Sequence, residues 1–132
     1  MTKNIRIESN MLLTDDQLML ADSVLAVSLR KSVIYIHEGT TPTLIDCVTV
    51  EQAKALFNEL KGFMKYNNQV VLDYGHALVS RDHITGVKRV KNVLYFNNCY
   101  RSIDIAFQSS GEATRQLDEL VNSFRSELLY ER

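Results

Sequence analysis

Lys31-Ser32-Val33-Ile34-Tyr35-Ile36 is the stretch on which the reading of this chain turns, because sixty positions later stands Lys91-Asn92-Val93-Leu94-Tyr95-Phe96. Both run from a lysine and a small polar residue into β-branched and aromatic residues, the types that fit a pleated, half-buried strand. The correspondence extends outward without a gap. Val27 lies over Val87, Ile45 over Ile105, Ala53 over Ala113, and Asn58-Glu59-Leu60 over Asp118-Glu119-Leu120. A fixed internal period of this kind points to a repeated supersecondary unit.

Each copy reads as three strands and a helix. Strands are expected at Val24–Leu29, Ser32–His37 and Thr43–Val48, and again at Ile84–Val90, Asn92–Asn97 and Ser102–Gln108. Gly39 and Pro42 mark the loop Glu38-Gly39-Thr40-Thr41-Pro42, and Asn98-Cys99-Tyr100-Arg101 takes its place in the second copy. Turn residues between apolar runs of this length predict hairpins. Thr49 with Gln52, and Ser109 with Glu112, have the spacing of a capping box and so predict two helix starts, also sixty apart. Ala53, Leu56, Phe57, Leu60, Phe63 and Met64 follow the first, and Ala113, Leu117, Leu120, Val121, Phe124 and Leu128 the second. Both sets keep the spacing of one buried helix face.

Asn67-Asn68 is expected to end the first helix, and Gln69–Leu72 to open the second half as a strand. Before the repeat, Asn4–Glu8 suggests an edge strand and Thr14–Leu20 a short helix started by Thr14 or Asp15. Antiparallel strands followed by a helix, twice, predict an α+β fold of two tandem similar units about a pseudo-twofold, with the helices covering one face. The expectation is a single domain over 1–132, with halves at roughly 12–66 and 69–130 as the internal repeat.

Composition sets the class. The chain has 132 residues, of which 45% are hydrophobic, enough for a core without disulfides or metals. Fifteen basic residues against sixteen acidic ones argue against a dedicated duplex-DNA binder, which shows a basic excess over its whole domain. Cys47 and Cys99 belong to no CxxC or CxxH pair and read as reduced thiols, each a small buried apolar group. The N-terminal Met1-Thr2-Lys3-Asn4-Ile5-Arg6 lacks the apolar run of a signal peptide, and no stretch is long and apolar enough to cross a membrane, so a cytoplasmic protein is expected.

Catalytic motifs are missing. His37, His76 and His83 form no HxH, HxxxH or HExxH, so no metal site is expected, and His37 and His83 read as surface residues beside acidic neighbours. There is no GxSxG, no phosphate-cradling glycine loop, and no general base beside Cys99. Asp46 and Asp104 lie in strands, on what alternation predicts to be an exposed face. The chain is therefore expected to be a non-enzyme without a cofactor.

What remains is binding. Arg81 to Lys91 is locally basic and leads into Tyr95, Asn97, Tyr100 and Arg101. Lys88, Arg89 and Lys91 with these aromatics and amides are candidate ligand-binding groups, and Arg30, Lys31, Tyr35 and His37 take the comparable positions in the first copy. Cations, amides and aromatic faces together suit phosphate and base contacts. The plainer alternative is a solvated sheet face, which alternates polar and apolar in any case.

Over roughly the last hundred residues, at the level of element order, the chain resembles the PUR and Whirly architectures, although the Gly- and Arg-rich strands of PUR repeats are missing. That resemblance implies single-stranded nucleic-acid binding on a sheet face. In size, strands-then-helix pattern and lack of an active site, it also resembles small phage-encoded anti-defence proteins such as the Thoeris anti-defence family. That resemblance implies an oligomer sequestering a cyclic-nucleotide-type signal between subunits, and no residue is carried over. The sequence thus leads to a non-enzymatic, oligomeric binding protein. Its expected partner is a small phosphate-containing, nucleotide-like ligand or a protein such as a defence-system component. Single-stranded nucleic acid and a protein-interaction or inhibitor module are the alternatives. The apolar residues Leu128-Leu129-Tyr130 at the end of the second helix favour a homo-oligomer.

Overall fold

The computed structural model describes residues 5–39, 41–98 and 102–130, with side chains described as far as 125. The fold is α+β: antiparallel sheets with two long helices. The chain forms two compact units, 1–83 and 84–132.

The N-terminal unit opens with β1 (Arg6–Glu8), β2 (Met11–Leu13) and β3 (Leu18–Leu20), a small meander in that order. A short 3-10 turn at Ala21–Ser23 leads into β4 (Val24–Arg30), β5 (Val33–Glu38) and β6 (Thr43–Asp46). Then come α1 (Val50–Tyr66), β7 (Val71–Asp73), β8 (Ala77–Ser80) and a second 3-10 turn at Arg81–His83. The larger sheet has the order β6-β5-β4-β8-β7. Its core gathers Val24, Val27, Ile34, Ile36, Ile45 and Leu78 from the sheet with Ala53, Phe57, Leu60, Phe63 and Met64 from α1 and Leu12 and Met19 from the small meander. Val24 and Val27, three apart, both reach this core because the β4–β5 register shifts between Val24 and Ala26, which absorbs the odd residue.

The C-terminal unit is β9 (Gly86–Val90), β10 (Val93–Asn97), β11 (Ser102–Ala106) and α2 (Ser110–Tyr130), with sheet order β11-β10-β9. Its registers repeat those of the first unit at the sixty-residue offset. Arg30 faces Val33 and Ile34 faces Ile45; Val90 faces Val93 and Leu94 faces Ile105. Lys31 and Lys91 both take positive φ, 56° and 55°, in the two-residue hairpin turns. Thr49 Oγ1 accepts from the Gln52 amide and Ser109 Oγ from the Glu112 amide, each at 3.1 Å. Only this half of each capping box is seen, and Glu112 instead accepts from Arg115 and Gln116.

Four expectations are corrected. Thr14–Leu20 is not a helix: the Thr14 amide donates to the Gln17 carbonyl at 2.9 Å, closing a hairpin between β2 and β3. Thr and Asp serve turns as readily as helix caps, and the residues that follow pair as a strand. The strand predicted at Gln69–Leu72 is β7, and it belongs to the first unit. It pairs with β8, which pairs with β4. This extra hairpin moves the division of the chain from the expected 66–69 to between His83 and Ile84. His37 is buried, with 8% exposure, because it stands opposite Ala26 on a central strand pair.

Candidate functional site

Antiparallel pairing decides which of the candidate residues share a face, since residues directly opposite project to the same side. In the C-terminal unit Tyr95 on the central strand stands between Lys88 on β9 and Asp104 on β11. Asn97 stands between Gly86 and Ser102, and Val93 between Val90 and Ala106. Leu94 and Phe96, on the opposite face, are fully buried with Ile103 and Ile105, and α2 packs against β9 and β10. The face bearing Tyr95 is therefore the open one: Lys88, Val90, Ser102, Asp104 and Ala106 are exposed, while Tyr95 and Asn97 are half-buried.

Not every predicted residue joins it. Arg89 stands opposite Leu94 and so projects to the other side, where its guanidinium donates to the Lys91 carbonyl at 2.9 Å. Lys91 occupies the hairpin turn and is exposed. Tyr100 and Arg101, like Cys99, lie outside the described residues.

In the N-terminal unit the corresponding face carries Arg30, Tyr35 and His37. The Arg30 guanidinium carbon lies 5.5 Å from the centre of the Tyr35 ring, a cation–π contact across the strand pair. His37 Nε2 is 3.0 Å from Ser28 Oγ in a buried hydrogen bond. This histidine is held in the sheet rather than offered at the surface. Lys31 is exposed in its turn.

The charge on the C-terminal unit is segregated. Residues 84–108 contain four cations, Lys88, Arg89, Lys91 and Arg101, and one carboxylate, Asp104. Residues 110–130 contain two cations and four carboxylates. The sequence of the strand segment is thus basic and that of the helix acidic, although the chain as a whole is near neutral. The strand segment 24–48 of the first unit holds two cations and two carboxylates and shows no such bias.

A cleft of about 650 Å³ opens in the N-terminal unit between the two hairpin ends, lined by Gln17, Glu38, Gly39, Thr41, Pro42, Thr43 and Leu44. Gln17 donates to Glu38 at 3.0 Å and accepts from Thr43 at 3.1 Å. Sequence reasoning missed it because its lining comes from two hairpins far apart in the chain. A carboxylate and no cation among these residues suits it poorly to phosphate. Cys47 is half-buried at the margin of the core, and burial, then the neighbouring Asp46 charge, push its thiol pKa up, which disfavours the reactive thiolate. Among the described residues no three His, Cys, Asp or Glu side chains gather as a metal site, and no helix is long and apolar enough to cross a membrane.

No protein-family model matches the chain, and no curated protein does. Among solved structures it is similar to a LytTr DNA-binding domain from Bacillus cereus, with 7% sequence identity and a TM-score of 0.47, over 91% of this chain and 97% of that one.

Proposed function

We propose that this protein acts by binding rather than catalysis, and that the open sheet face of its C-terminal unit engages an extended phosphate-bearing partner, single-stranded nucleic acid. The observation that carries this reading is Tyr95 beside Lys88 on the open face, within a strand segment whose sequence is basic against the acidic sequence of α2. A half-buried tyrosine ring offers a stacking platform that tolerates any base, and Lys88 beside it meets the backbone. Asn97 supplies an amide on the same face. An open sheet face with an exposed cation suits a chain better than a small phosphate ligand, which is held in a concave pocket.

Fluorescence anisotropy with labelled single-stranded oligonucleotides at low salt tests this. Tyr95→Ala is expected to weaken binding about fivefold or more, the usual scale for one stacked base. Lys88→Ala is expected to weaken it and to reduce its salt dependence. Tight binding of a free mononucleotide with no binding of the oligonucleotide would transfer the function to small-ligand capture. No binding of either would remove the reading.

A further inference from the structure

The two helices occupy equivalent places but do not meet equivalent surroundings. In α1, Ala53, Phe57, Leu60, Phe63 and Met64 are all buried, and Met64 shares its core with Leu12 and Met19 of the small meander. Among the described residues the C-terminal unit has no counterpart of β1–β3 or of β7–β8. Along α2, Ala113 and Leu120 are buried, Leu117 is half-buried, and Val121 and Phe124 are 39% and 37% exposed. Phe124 stands where α1 has the buried Met64. Val121 stands where α1 has Lys61, which pairs with Asp73. The length of α2 explains part of this. Twenty-one residues span about 31 Å, while a five-residue strand spans about 17 Å, so the helix outruns its sheet.

Leu117, Val121 and Phe124 are spaced by four and three, and in the sequence the spacing continues by four to Leu128. This is the a/d spacing along which two helices can pair. Beside it, on the exposed side, stand Asp118 and Arg125, seven residues apart and of opposite charge. We propose that a second copy of this chain docks here, α2 against α2, in antiparallel orientation. With the twofold axis between Val121 and Phe124, Asp118 of each copy comes beside Arg125 of the other, so the pair forms twice. In a parallel pair the flanking positions would face Ala113 and Leu120, which offer no charge. The stripe is short beside the roughly 800 Å² per partner of a standard stable interface, so the dimer is expected to be weak and concentration-dependent.

Sedimentation velocity over a concentration series tests the pairing. The wild-type chain is expected to move from monomer to dimer as concentration rises. Asp118→Arg is expected to raise the dissociation constant about tenfold, a like-charge contact made twice. Combining it with Arg125→Asp is expected to restore dimerisation to near the original value. Both positions are exposed, so folding is retained. Val121→Lys, the residue that α1 carries at this place, is expected to abolish the dimer while leaving the circular dichroism spectrum unchanged. A strict monomer at all concentrations overturns the proposal. So does a dimer insensitive to Val121→Lys, and one that Asp118→Arg weakens but the double swap does not restore overturns the antiparallel arrangement.

Discussion

Asp73 shows how a single side chain ties elements together. Its Oδ1 accepts from the Gly75 amide at 2.9 Å, and its Oδ2 meets Lys61 of α1 at 2.9 Å. Gly75, at φ +85°, makes the turn that brings its amide there. Burial works to raise the carboxyl pKa, but the Gly75 amide, the Lys61 hydrogen bond and charge, and the Lys65 charge outweigh it and hold the pKa below the usual value. A depressed folded-state pKa contributes stability above the ordinary carboxylate pKa, and that contribution is lost as pH falls through the lowered one. Asp73→Asn keeps an acceptor for Gly75 and removes the charge. Its expected cost at neutral pH is about 0.5 kcal/mol, as for a partly exposed pair, and the difference from wild type closes in strong acid; denaturant melts at both pH values check this. At this scale the sequence spoke unevenly. Tyr95 and Lys88 were legible as candidates, and alternation placed Asp46 and Asp104 outward, as the structure has them. The burial of His37 was not legible, because it depends on the Ser28 partner and on a small residue, Ala26, across the strand.

At the scale of elements, the helix starts carry most of the local signal. Ser109 satisfies the Glu112 amide, and the Ala113 amide donates to the Ser109 carbonyl at 3.1 Å. Ser109→Ala is expected to destabilise the C-terminal unit by about 1 kcal/mol, read from the denaturation midpoint of the purified variant. Helices and hairpins were legible because their determinants lie within a few residues of one another. The six repeat strands were found within a few residues of their ends. The β7–β8 hairpin was half seen and then assigned to the wrong unit, since Ala77–Ser80 is a short apolar run whose partner, β4, lies some fifty residues away. Thr14–Leu20 failed for the opposite reason: the local signal was real but serves a hairpin turn as well as a helix cap. Arg89 was grouped with Lys88 by proximity in sequence, and the two-residue period of a strand puts neighbours on opposite faces.

At the scale of the molecule, the two units bury very different amounts. The N-terminal core draws on two sheets and most of α1, whereas the C-terminal unit has Leu94, Phe96, Ile103, Ile105, Ala113 and Leu120 as its buried apolar residues among those described. With 49 residues, the second unit is near the lower limit for an independent core. Native-state hydrogen exchange on the full chain is expected to show lower opening free energies for the Leu94 and Phe96 amides than for Ile34 and Ile36, with the C-terminal sheet opening first. Equal protection across both sheets would show that the two open as one. The sixty-residue period pointed to two similar strand-and-helix segments, but β1–β3 and β7–β8, which add to the first unit, come from segments without a repeat partner.

The C-terminal sheet has a final consequence. Among the described residues β9 and β11 each have a strand neighbour on one side only, so the outer backbone groups of both lack a strand partner. Joining β9 of one molecule to β11 of the next is a head-to-tail contact, which grows a ribbon unless its rotation closes a ring. Two identical β9 margins brought together instead oppose Lys88 and Arg89 to their own kind. A polyanion lying along that margin would neutralise these cations and lift the repulsion. Charge and strands of only five residues, not any shortage of places to bond, would work against such growth.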